Sequence, residues 1–488
     1  MKIASSGLCI LLLIVFVALR VVSIGQYPEV HPDEGYWAGG ARDYALYGDG
    51  LMSGRLHPFL CPGHFCLLAG FFLGVRPNLL SARLFNTCVG ILSCLLIVLI
   101  ARRCFPRRWW LFPFLFGLSS LVVNIHQMAL LEAHQMFWLV LAATVWLNQG
   151  RFASIGSGAA LGMALLVKSN GIYILPAFLI TSPCILKEAS PRSVASRGVH
   201  ALIFLLTLGL VVGGGYLTAW AMNPEAFTAA FRFELDGKHF LTGDELFHFG
   251  RFGLNPSRAI GTLKAFIFSD PLLVILALLG VIMILRNFKE ASRADLFFSV
   301  WAVCGVAFIL SQILVAHRYL TTVAPALAYL ATRVLDRLLT RIETIRSEQW
   351  SRYATLGLVL LFCGYHISRL AAGIVHRPNA GYWSAVSWVE ENIPHETNVL
   401  AAPHLGLSLP QRSYDFYRTI FAYDGTTRLL EEVVVRYNIG AVIVDGEWRE
   451  YQTSDMTKFL AEHCTKAISL PGKTGQEIEI YLVMKNGR

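Results

Sequence analysis

Long apolar runs, separated by short polar stretches, extend over the first three quarters of the chain. A helix needs about 20 consecutive apolar residues to cross a bilayer, and most of the runs approach that length. The runs lie at about 7–24, 64–75, 79–101, 109–127, 131–147, 154–167, 171–186, 199–222, 259–285, 294–316, 318–332 and 353–374. The pattern predicts an α-helical polytopic membrane protein.

The positions of the basic residues indicate how many runs cross the membrane. If every run crossed, the arginine cluster 102–108 and the basic loop 187–198 would lie outside, against the usual excess of basic residues in cytosolic loops. The run 64–75 is short, and treating it as a re-entrant or interfacial segment returns both loops to the cytosol. We therefore expect about 11 transmembrane helices, a first run that is retained as a span, a cytosolic N-terminus and an external loop 25–78.

The pattern changes from about residue 377, where shorter helical and strand-like segments alternate. This alternation is typical of a small α/β domain. Helices are predicted at 381–391, 428–437 and 454–462, and strands at 398–402, 439–445 and 477–484. We expect a transmembrane domain over 1–376 and a soluble α/β domain over 377–488 on the non-cytosolic side. The second region has no glycine-rich phosphate loop and no nucleophile elbow, so its sequence assigns it no chemistry.

Composition and charge exclude several classes of protein. Hydrophobic residues make up 55% of the 488 positions and charged residues only 15%, which excludes a soluble enzyme, a disordered chain and a collagen-like fibre. The net charge of +9 combines 30 basic and 18 acidic residues in 1–376 with 11 basic and 14 acidic residues in 377–488. Because the basic excess lies between apolar runs, it indicates membrane topology and not nucleic-acid binding. The ten cysteines form neither a disulfide framework nor a paired CxxC site.

The segment His31–Trp37, just beyond the first run, carries the acidic pair Asp33 and Glu34. One interpretation is helix capping, with Asp33 as the N-cap and Glu34 in the first turn. The other is that Asp33 is a general base at the membrane interface. Both can hold, because a capped helix fixes its carboxylate in place. An apolar stripe predicts that the helix 34–48 lies on the membrane surface. The stripe consists of Trp37, Ala41, Tyr44 and Ala45.

Three further charged residues interrupt or flank apolar runs. Ionisable groups at membrane depth are costly and commonly functional. Glu132 is either such a group or a residue of the outer headgroup region. Lys168 is either a cation for an anionic headgroup or a snorkelling side chain. Arg318, in the stretch His317-Arg318-Tyr319, either binds phosphate with its forked guanidinium or anchors a helix end.

Four metal-ligating residue types occur close together in the run that is not expected to cross. They are His57, Cys61, His64 and Cys66. The spacing fits no common zinc site, and a reduced or simply packed group is the favoured interpretation.

Taken together, these motifs resemble those of the GT-C glycosyltransferases, and within that class the protein mannosyltransferases and the bacterial aminoarabinose transferases. The resemblance covers roughly residues 1–335, and the order and spacing of the motifs are more specific than any one of them. The motifs are Asp33-Glu34, His57-Pro58, the stretch from Ser81-Ala82-Arg83 to Arg108, Glu132, the stretch Gly162–Lys168 with Gly171 and Pro176, and His317-Arg318-Tyr319-Leu320 with Pro325.

The resemblance implies a GT-C-like fold and a sugar donor carried on a polyprenyl monophosphate. The acceptor would be a protein, a lipid or a glycan, and the site would lie on the non-cytosolic face. Asp33 would take the acceptor proton, and inversion at the anomeric carbon would follow. Glu34 and Glu132 would orient the acceptor or Asp33, or hold an optional divalent cation. No cofactor is required.

The remaining candidates are binding residues. Lys168 and Arg318 would stabilise the donor phosphate, and Arg83 is either a further phosphate ligand or an anchor of its span. His57, His317 and Tyr319 would contact the acceptor or have structural roles. The implied location is a bacterial plasma membrane, with membrane lipids around the spans.

Two departures from the family pattern leave other functions open. Glu132 stands where the family usually has an aspartate preceded by an arginine, and Phe59 follows His57-Pro58 where the family has a second proline. A transporter or flippase of lipid-linked substrates is one alternative, although the chain has no internal repeat. A catalytically inactive relative that binds a lipid or a partner is the other.

Overall fold

The computed structural model describes most of the chain in detail. The described residues are 2–48, 57–148, 152–182, 191–236, 248–249, 252–312, 316–420, 428–472 and 476–484. Helices account for most of them, and a mixed sheet follows near the C-terminus.

The first half of the chain contributes twelve described helices. They are α1 (Lys2–Val21), α2 (Pro32–Tyr47), α3 (His57–Leu60), α4 (Pro62–Phe72), α5 (Leu79–Cys104), α6 (Leu111–Leu118), α7 (Ser120–Gln127), α8 (Leu131–Asn148), α9 (Ala153–Val167), α10 (Leu175–Ile180), α11 (Pro191–Met222) and α12 (Pro224–Asp236). A 3-10 helix, Ser169–Ile174, joins α9 to α10.

Two short antiparallel strands and five more helices follow. They are β1 (His248–Phe249), β2 (Phe252–Gly253), α13 (Pro256–Ser269), α14 (Pro271–Arg286), α15 (Arg293–Leu310), α16 (Ala324–Ile345) and α17 (Glu348–His376). Two further 3-10 helices, Phe288–Glu290 and His317–Val323, precede α15 and α16.

The C-terminal region combines helices with a five-stranded sheet. Its elements are α18 (Ala380–Asn392), β3 (Asn398–Ala401), α19 (Pro403–Gly406), β4 (Ser413–Asp415), α20 (Phe416–Ile420), α21 (Leu430–Arg436), β5 (Ile439–Val444), α22 (Gly446–Glu450), α23 (Ser454–His463), β6 (Cys464–Pro471) and β7 (Glu477–Val483). The strand order is β4-β3-β5-β7-β6. Strands β4, β3 and β5 are parallel, and β7 and β6 complete the sheet in antiparallel fashion. The predicted strands 398–402, 439–445 and 477–484 correspond to β3, β5 and β7.

Fewer described helices meet the length and composition of a membrane span than the eleven that the apolar runs predict. Four do so alone, and six do when each of two bent helix pairs counts as one span. The run 259–285 is divided between α13 and α14, which meet at 105° where Pro271 follows Asp270. The runs 154–167 and 171–186 give the 15-residue α9 and the six-residue α10, so that the number of crossings stays a prediction.

The arginine cluster 102–108, which is expected in the cytosol, contacts α16 at one end of the helical bundle. Arg108 lies 2.9 Å from the Asp336 carboxylate on α16 and also pairs with Glu343. Arg83 and Arg102 are both on α5, and a rise of 1.5 Å per residue separates them by about 28 Å. The arginine cluster therefore lies at the opposite end of α5 from Arg83.

Helix α2 is capped differently from the prediction. Its N-cap is His31, whose Nδ1 accepts a hydrogen bond from the Asp33 N–H, and Pro32 occupies the first turn. The Glu34 carboxylate accepts from the His31 N–H and completes a capping box. The prediction of Asp33 as the N-cap was wrong by two residues. As a result, the Asp33 carboxylate is left free to contact other elements.

A hydrophobic core joins α2 and α4 to the C-terminal sheet. It includes Ala38 and Ala41 of α2, Leu68 of α4 and Leu400 and Val442 of the sheet. Gly35 makes this packing possible, because a Cβ there would lie 2.1 Å from the backbone of Pro403. The core crosses the predicted boundary at 376/377, and the division into two domains stays a prediction.

Candidate functional site

Three chain breaks converge beside the N-terminus of α2. Helices α7 and α8 meet at 113°, α9 ends at Lys168, and an extended residue, Ala316, precedes the 3-10 helix that carries Arg318. A broken helix in a bundle exposes backbone groups that need partners. Here Asn86 donates to the carbonyls of Met128 and Leu130 at 2.7 Å each. The breaks therefore bring charged residues together without leaving these carbonyls unsatisfied.

Asp33 forms an ion pair with Arg318 at the centre of this region. The guanidinium donates to the Asp33 carboxylate through Nη2, and its Nη1 lies 2.6 Å from Nε2 of His31. The Asp33 side chain is 31% exposed, whereas the Arg318 side chain is 15% exposed. Asp33 is thus the carboxylate of the cluster that solvent or a ligand can reach.

Glu132 is buried behind this pair, at the first turn of α8. Its carboxylate lies 2.7 Å from the Lys168 ammonium and 3.7 Å from Nε of Arg318. A buried carboxylate between two cations orients both of them and reduces their mutual repulsion. Asp33, Glu132, Lys168 and Arg318 therefore form one cluster, with two negative and two positive charges.

Tyr319 covers the cationic side of the cluster. The Lys168 ammonium lies 3.8 Å from the centre of the tyrosine ring, which is the geometry of a cation–π contact. The Arg318 guanidinium lies 5.3 Å from the same ring. His317 precedes Arg318 and Tyr319 in the 3-10 helix and is exposed. The structure thus brings Tyr319 to the cluster as a neighbour of both cations.

Glu34 and Arg83 are placed apart from this cluster, as a separate buried pair. The Glu34 carboxylate accepts from Nε and Nη2 of Arg83 at 2.8 and 2.7 Å, and from the Ala129 N–H at 2.7 Å. Both side chains have no exposed surface. Arg83 also donates to the carbonyls of Ile24 and Pro28. This pair ties α2, α5 and the α7–α8 break together and has no free atoms for a phosphate.

Replacing Glu34 by Gln is expected to destabilise the protein. The change leaves the buried Arg83 guanidinium without a counter-charge, a loss that typically costs about 3–5 kcal/mol. The effect is measured as the melting temperature in detergent, which is monitored through the loss of monodisperse protein. The control is Glu391→Gln, an exposed residue near the end of α18. An unchanged melting temperature for Glu34→Gln would contradict the structural role.

Gln135 is a residue that the sequence did not single out. It lies on α8, and its Nε2 donates to the Lys168 carbonyl at 2.6 Å and to the Asn170 side chain at 2.8 Å. These bonds hold the chain where α9 gives way to the 3-10 helix. The only sequence signal for it is its position one turn after Glu132.

His31 is likewise a contact of the cluster that the sequence analysis left without a role. His31 begins the segment His31–Trp37. Its position in that segment does not indicate that it caps α2 and approaches Arg318.

The described metal candidates, Cys61, His64 and Cys66, do not form a cluster of three ligands. His64 is buried on α4, and its Nδ1 lies 3.2 Å from Nδ1 of His134 on α8. Cys61 is buried and Cys66 is exposed. His57 is the first residue of α3, but its side chain lies outside the described part of the molecule. Within the described residues, Cys61, His64 and Cys66 are not part of a group of three metal-ligating side chains, and the packed interpretation stays a prediction.

A polar cavity and an apolar groove lie near the elements that carry the charged cluster. A polar cavity of about 430 Å³ lies between the start of α2 and the C-terminal region, and His31, Asp33, His404 and Glu447 are part of its lining. An apolar groove of about 350 Å³ runs between α4, α9 and α11, with Leu166 on its wall two residues before Lys168. The polar cavity can hold a polar ligand beside Asp33, and the groove can hold an apolar chain along α9.

Comparisons with known proteins agree with this geometry. Residues 57–214 match the family model described as dolichyl-phosphate-mannose-protein mannosyltransferase. No curated protein matches the chain. Among solved structures, the chain is similar to ArnT from Cupriavidus metallidurans bound to undecaprenyl phosphate, with a TM-score of 0.65 and 17% identity over 97% of this chain and 98% of that one.

Two further solved structures support the same fold. The apo state of the same ArnT gives a TM-score of 0.65 at 16% identity, with 98% of both chains covered. An oligosaccharyltransferase from Archaeoglobus fulgidus, tethered to an acceptor peptide, gives 0.55 at 14% identity over 94% of this chain and 72% of that one. The chain therefore shares its fold with these solved glycosyltransferases, and part of it matches one mannosyltransferase family model. It is similar to ArnT over nearly its whole length.

Proposed function

We propose that this protein transfers a sugar from a polyprenyl-monophosphate donor to a protein, lipid or glycan acceptor on the non-cytosolic face of a membrane, with inversion. The single observation that carries the proposal is the charged cluster. A partly exposed carboxylate, Asp33, lies against two cations that a buried carboxylate, Glu132, holds in place. Such a centre combines a proton acceptor with a phosphate site.

Arg318 and Lys168 are the proposed ligands of the donor phosphate. The phosphodiester of the donor carries one negative charge, and the departing polyprenyl phosphate carries a second as the bond to the sugar breaks. Cations fixed in advance stabilise that growing charge more than they stabilise the bound donor, which lowers the barrier. The donor phosphate would take the Arg318 contacts that Asp33 holds here and release the Asp33 carboxylate.

Asp33 is the proposed general base. The acceptor hydroxyl or amine attacks the anomeric carbon from the face opposite the phosphate, and its proton passes to Asp33. One bond forms to the acceptor atom and the bond between the anomeric carbon and the phosphate oxygen breaks, so that the configuration inverts.

Glu132, Glu34 and Arg83 take positioning roles in this proposal. Glu132 holds the two cations, and the Glu34–Arg83 pair fixes the start of α2. Both carboxylates already have cationic partners, so neither is proposed as the ligand of a divalent cation.

The apolar groove between α4, α9 and α11 is the proposed place for the start of the prenyl chain. Its walls include Phe65, Met163 and Leu166, and Gly215 of α11 leaves the room that the Leu166 side chain fills. Because α9 ends at Lys168, a chain that follows the groove would bring its phosphate to that ammonium. The polar cavity on the other side of Asp33 is the proposed entry for the acceptor.

A transfer assay on the full-length protein in nanodiscs tests the proposal. The protein is given a panel of polyprenyl-phosphate sugars, including hexose, pentose and amino-sugar donors, with hydroxyl and amine acceptors. We expect release of polyprenyl phosphate from at least one donor. The proposal fails if no donor is consumed. If a donor then crosses the bilayer of liposomes without being consumed, the transporter alternative replaces it.

A further inference from the structure

We propose that His404, Asp445 and Glu447 bind a divalent cation, with Zn²⁺ as the best-fitting ion, on the wall of the polar cavity that also contains Asp33. The proposal concerns residues of the C-terminal region, none of which belongs to the charged cluster. It does not depend on the proposed transfer reaction, because it concerns the binding of an ion and not turnover.

The topology of the sheet brings these three side chains together. Strands β3 and β5 are parallel neighbours, with Leu400 opposite Val442. His404 follows the carboxyl end of β3 by three residues, and Asp445 follows β5 directly. Ligand sites in α/β structures commonly lie beyond the carboxyl ends of adjacent parallel strands, because the loops leaving both strands meet there.

The ligand atoms are close enough for one ion to bind all three side chains. One donor atom of each residue lies within 4.8 Å of the others. Ligands of a tetrahedral Zn²⁺ at about 2.1 Å are about 3.4 Å apart, so binding requires the side chains to move inward by about 1 Å. One imidazole with two carboxylates is a ligand set that Zn²⁺ accepts. Within the described residues, this is the one group of three or more metal-ligating side chains at such spacing.

Hydrogen bonds around the trio hold its members in place. The Asp445 carboxylate accepts from the Trp448 N–H at 2.9 Å through Oδ1, which leaves Oδ2 to face Nε2 of His404 at 3.1 Å. The Tyr382 hydroxyl donates to the His404 carbonyl at 3.0 Å. Partners of this kind orient metal ligands and increase the affinity for the ion.

Two atoms of the trio lack hydrogen-bond partners among the described residues. Nδ1 of His404 and Oε2 of Glu447 are both buried and lie 3.3 Å apart as an ion pair, without hydrogen-bond alignment. Buried polar atoms without partners are uncommon and need an explanation, such as an absent ion. A cation among the three side chains would satisfy the carboxylate oxygen.

The electrostatic field at the trio favours positive charge. The carboxylates of Asp445 and Glu447 lie 3.1 and 3.3 Å from the two ring nitrogens of His404. Two carboxylates attract a doubly charged cation more strongly than a singly charged one. Glu29, Glu450 and Glu477 also line the cavity and add negative charge. Water from the cavity would complete the coordination of the ion.

Zinc binding by the full-length protein in detergent is the direct test. The protein is stripped with a chelator, dialysed against Zn²⁺, separated from free metal and analysed for zinc by mass spectrometry. We expect about one retained Zn²⁺ per chain. Glu447→Gln and His404→Ala should each reduce the affinity for Zn²⁺ at least about tenfold.

Glu450→Gln is the matched control, because Glu450 lies on α22 and lines the same cavity but is outside the trio. It should bind zinc as the wild type does. Because Glu447→Gln preserves the shape of the side chain, it keeps the test valid if His404→Ala does not fold. The proposal is overturned if the wild type retains no zinc, or if Glu447→Gln and His404→Ala both bind it with unchanged affinity. In that case His404 is a protonated histidine held by two carboxylates.

Discussion

Asp33→Asn is expected to lower kcat for sugar transfer by about 10³-fold while the affinity for the donor stays the same or increases slightly. The amide cannot accept the acceptor proton, and general-base catalysis contributes about 10²–10⁴-fold. The amide also holds no charge against Arg318, so the donor phosphate no longer displaces an ion pair. Single-turnover rates measure the first effect, and equilibrium binding of the donor measures the second.

Asp455→Asn is the control for this variant. Asp455 is an exposed aspartate in the first turn of α23, as Asp33 is in the first turn of α2. Its replacement should leave both measurements at the wild-type value. If Asp33→Asn keeps more than about a tenth of the wild-type kcat, Asp33 is not the general base.

Arg318→Lys is expected to reduce kcat/KM for the donor by about 10²-fold, in the range seen when one donor to a developing charge is lost. The Arg318 guanidinium reaches Asp33, His31 and Glu132 through three different nitrogens. A lysine ammonium is a single point and cannot reproduce this forked geometry. Initial rates at varied donor concentration provide the measurement.

Arg76→Lys is the matched control for charge and size. Arg76 is an exposed arginine that pairs with the Glu390 carboxylate at 3.1 Å. Exposed ion pairs contribute little, so this variant should retain wild-type kinetics. Wild-type kinetics in Arg318→Lys as well would remove Arg318 from the phosphate site and leave Lys168 as its proposed cation.

Charge balance explains why Asp33→Asn and Arg318→Lys should have different kinetic effects. The cluster of Asp33, Glu132, Lys168 and Arg318 is neutral when all four residues are charged. Removing the negative charge of Asp33 leaves an excess of positive charge, which favours an anionic donor. Replacing Arg318 by Lys keeps the charge but changes the geometry. The first variant therefore affects the chemical step, and the second affects how the phosphate is held.

The sequence alone predicted the features that depend on local pattern. The apolar runs correspond to the long helices such as α5, and the alternating segments of the tail correspond to β3, β5 and β7. The order of the charged motifs also indicated a resemblance to the GT-C glycosyltransferases, and the fold similarity and the match over residues 57–214 agree with it. These features are readable because hydrophobic periodicity and the cost of burying charge act along the chain itself.

The sequence did not reveal which charges are partners. Asp33 and Glu34 are adjacent in the chain, yet Asp33 contacts Arg318 and Glu34 is buried with Arg83. Successive residues at the start of a helix point about 100° apart, so that neighbours face different elements. Glu132 and Lys168, 36 residues apart, meet only because two helices end at the same place.

The tertiary structure also decided where the apolar runs break and which regions share a core. Gly35 fits against Pro403 from the other end of the chain, and a core joins α2 to the C-terminal sheet. Composition and periodicity indicated most of the elements, a membrane protein and the set of charged residues. Long-range packing determines how these charged residues pair. Examples are the buried Glu34–Arg83 ion pair and the contact of His404 with Asp445. Contacts between distant segments leave no periodic signal in the chain, so the sequence does not reveal them.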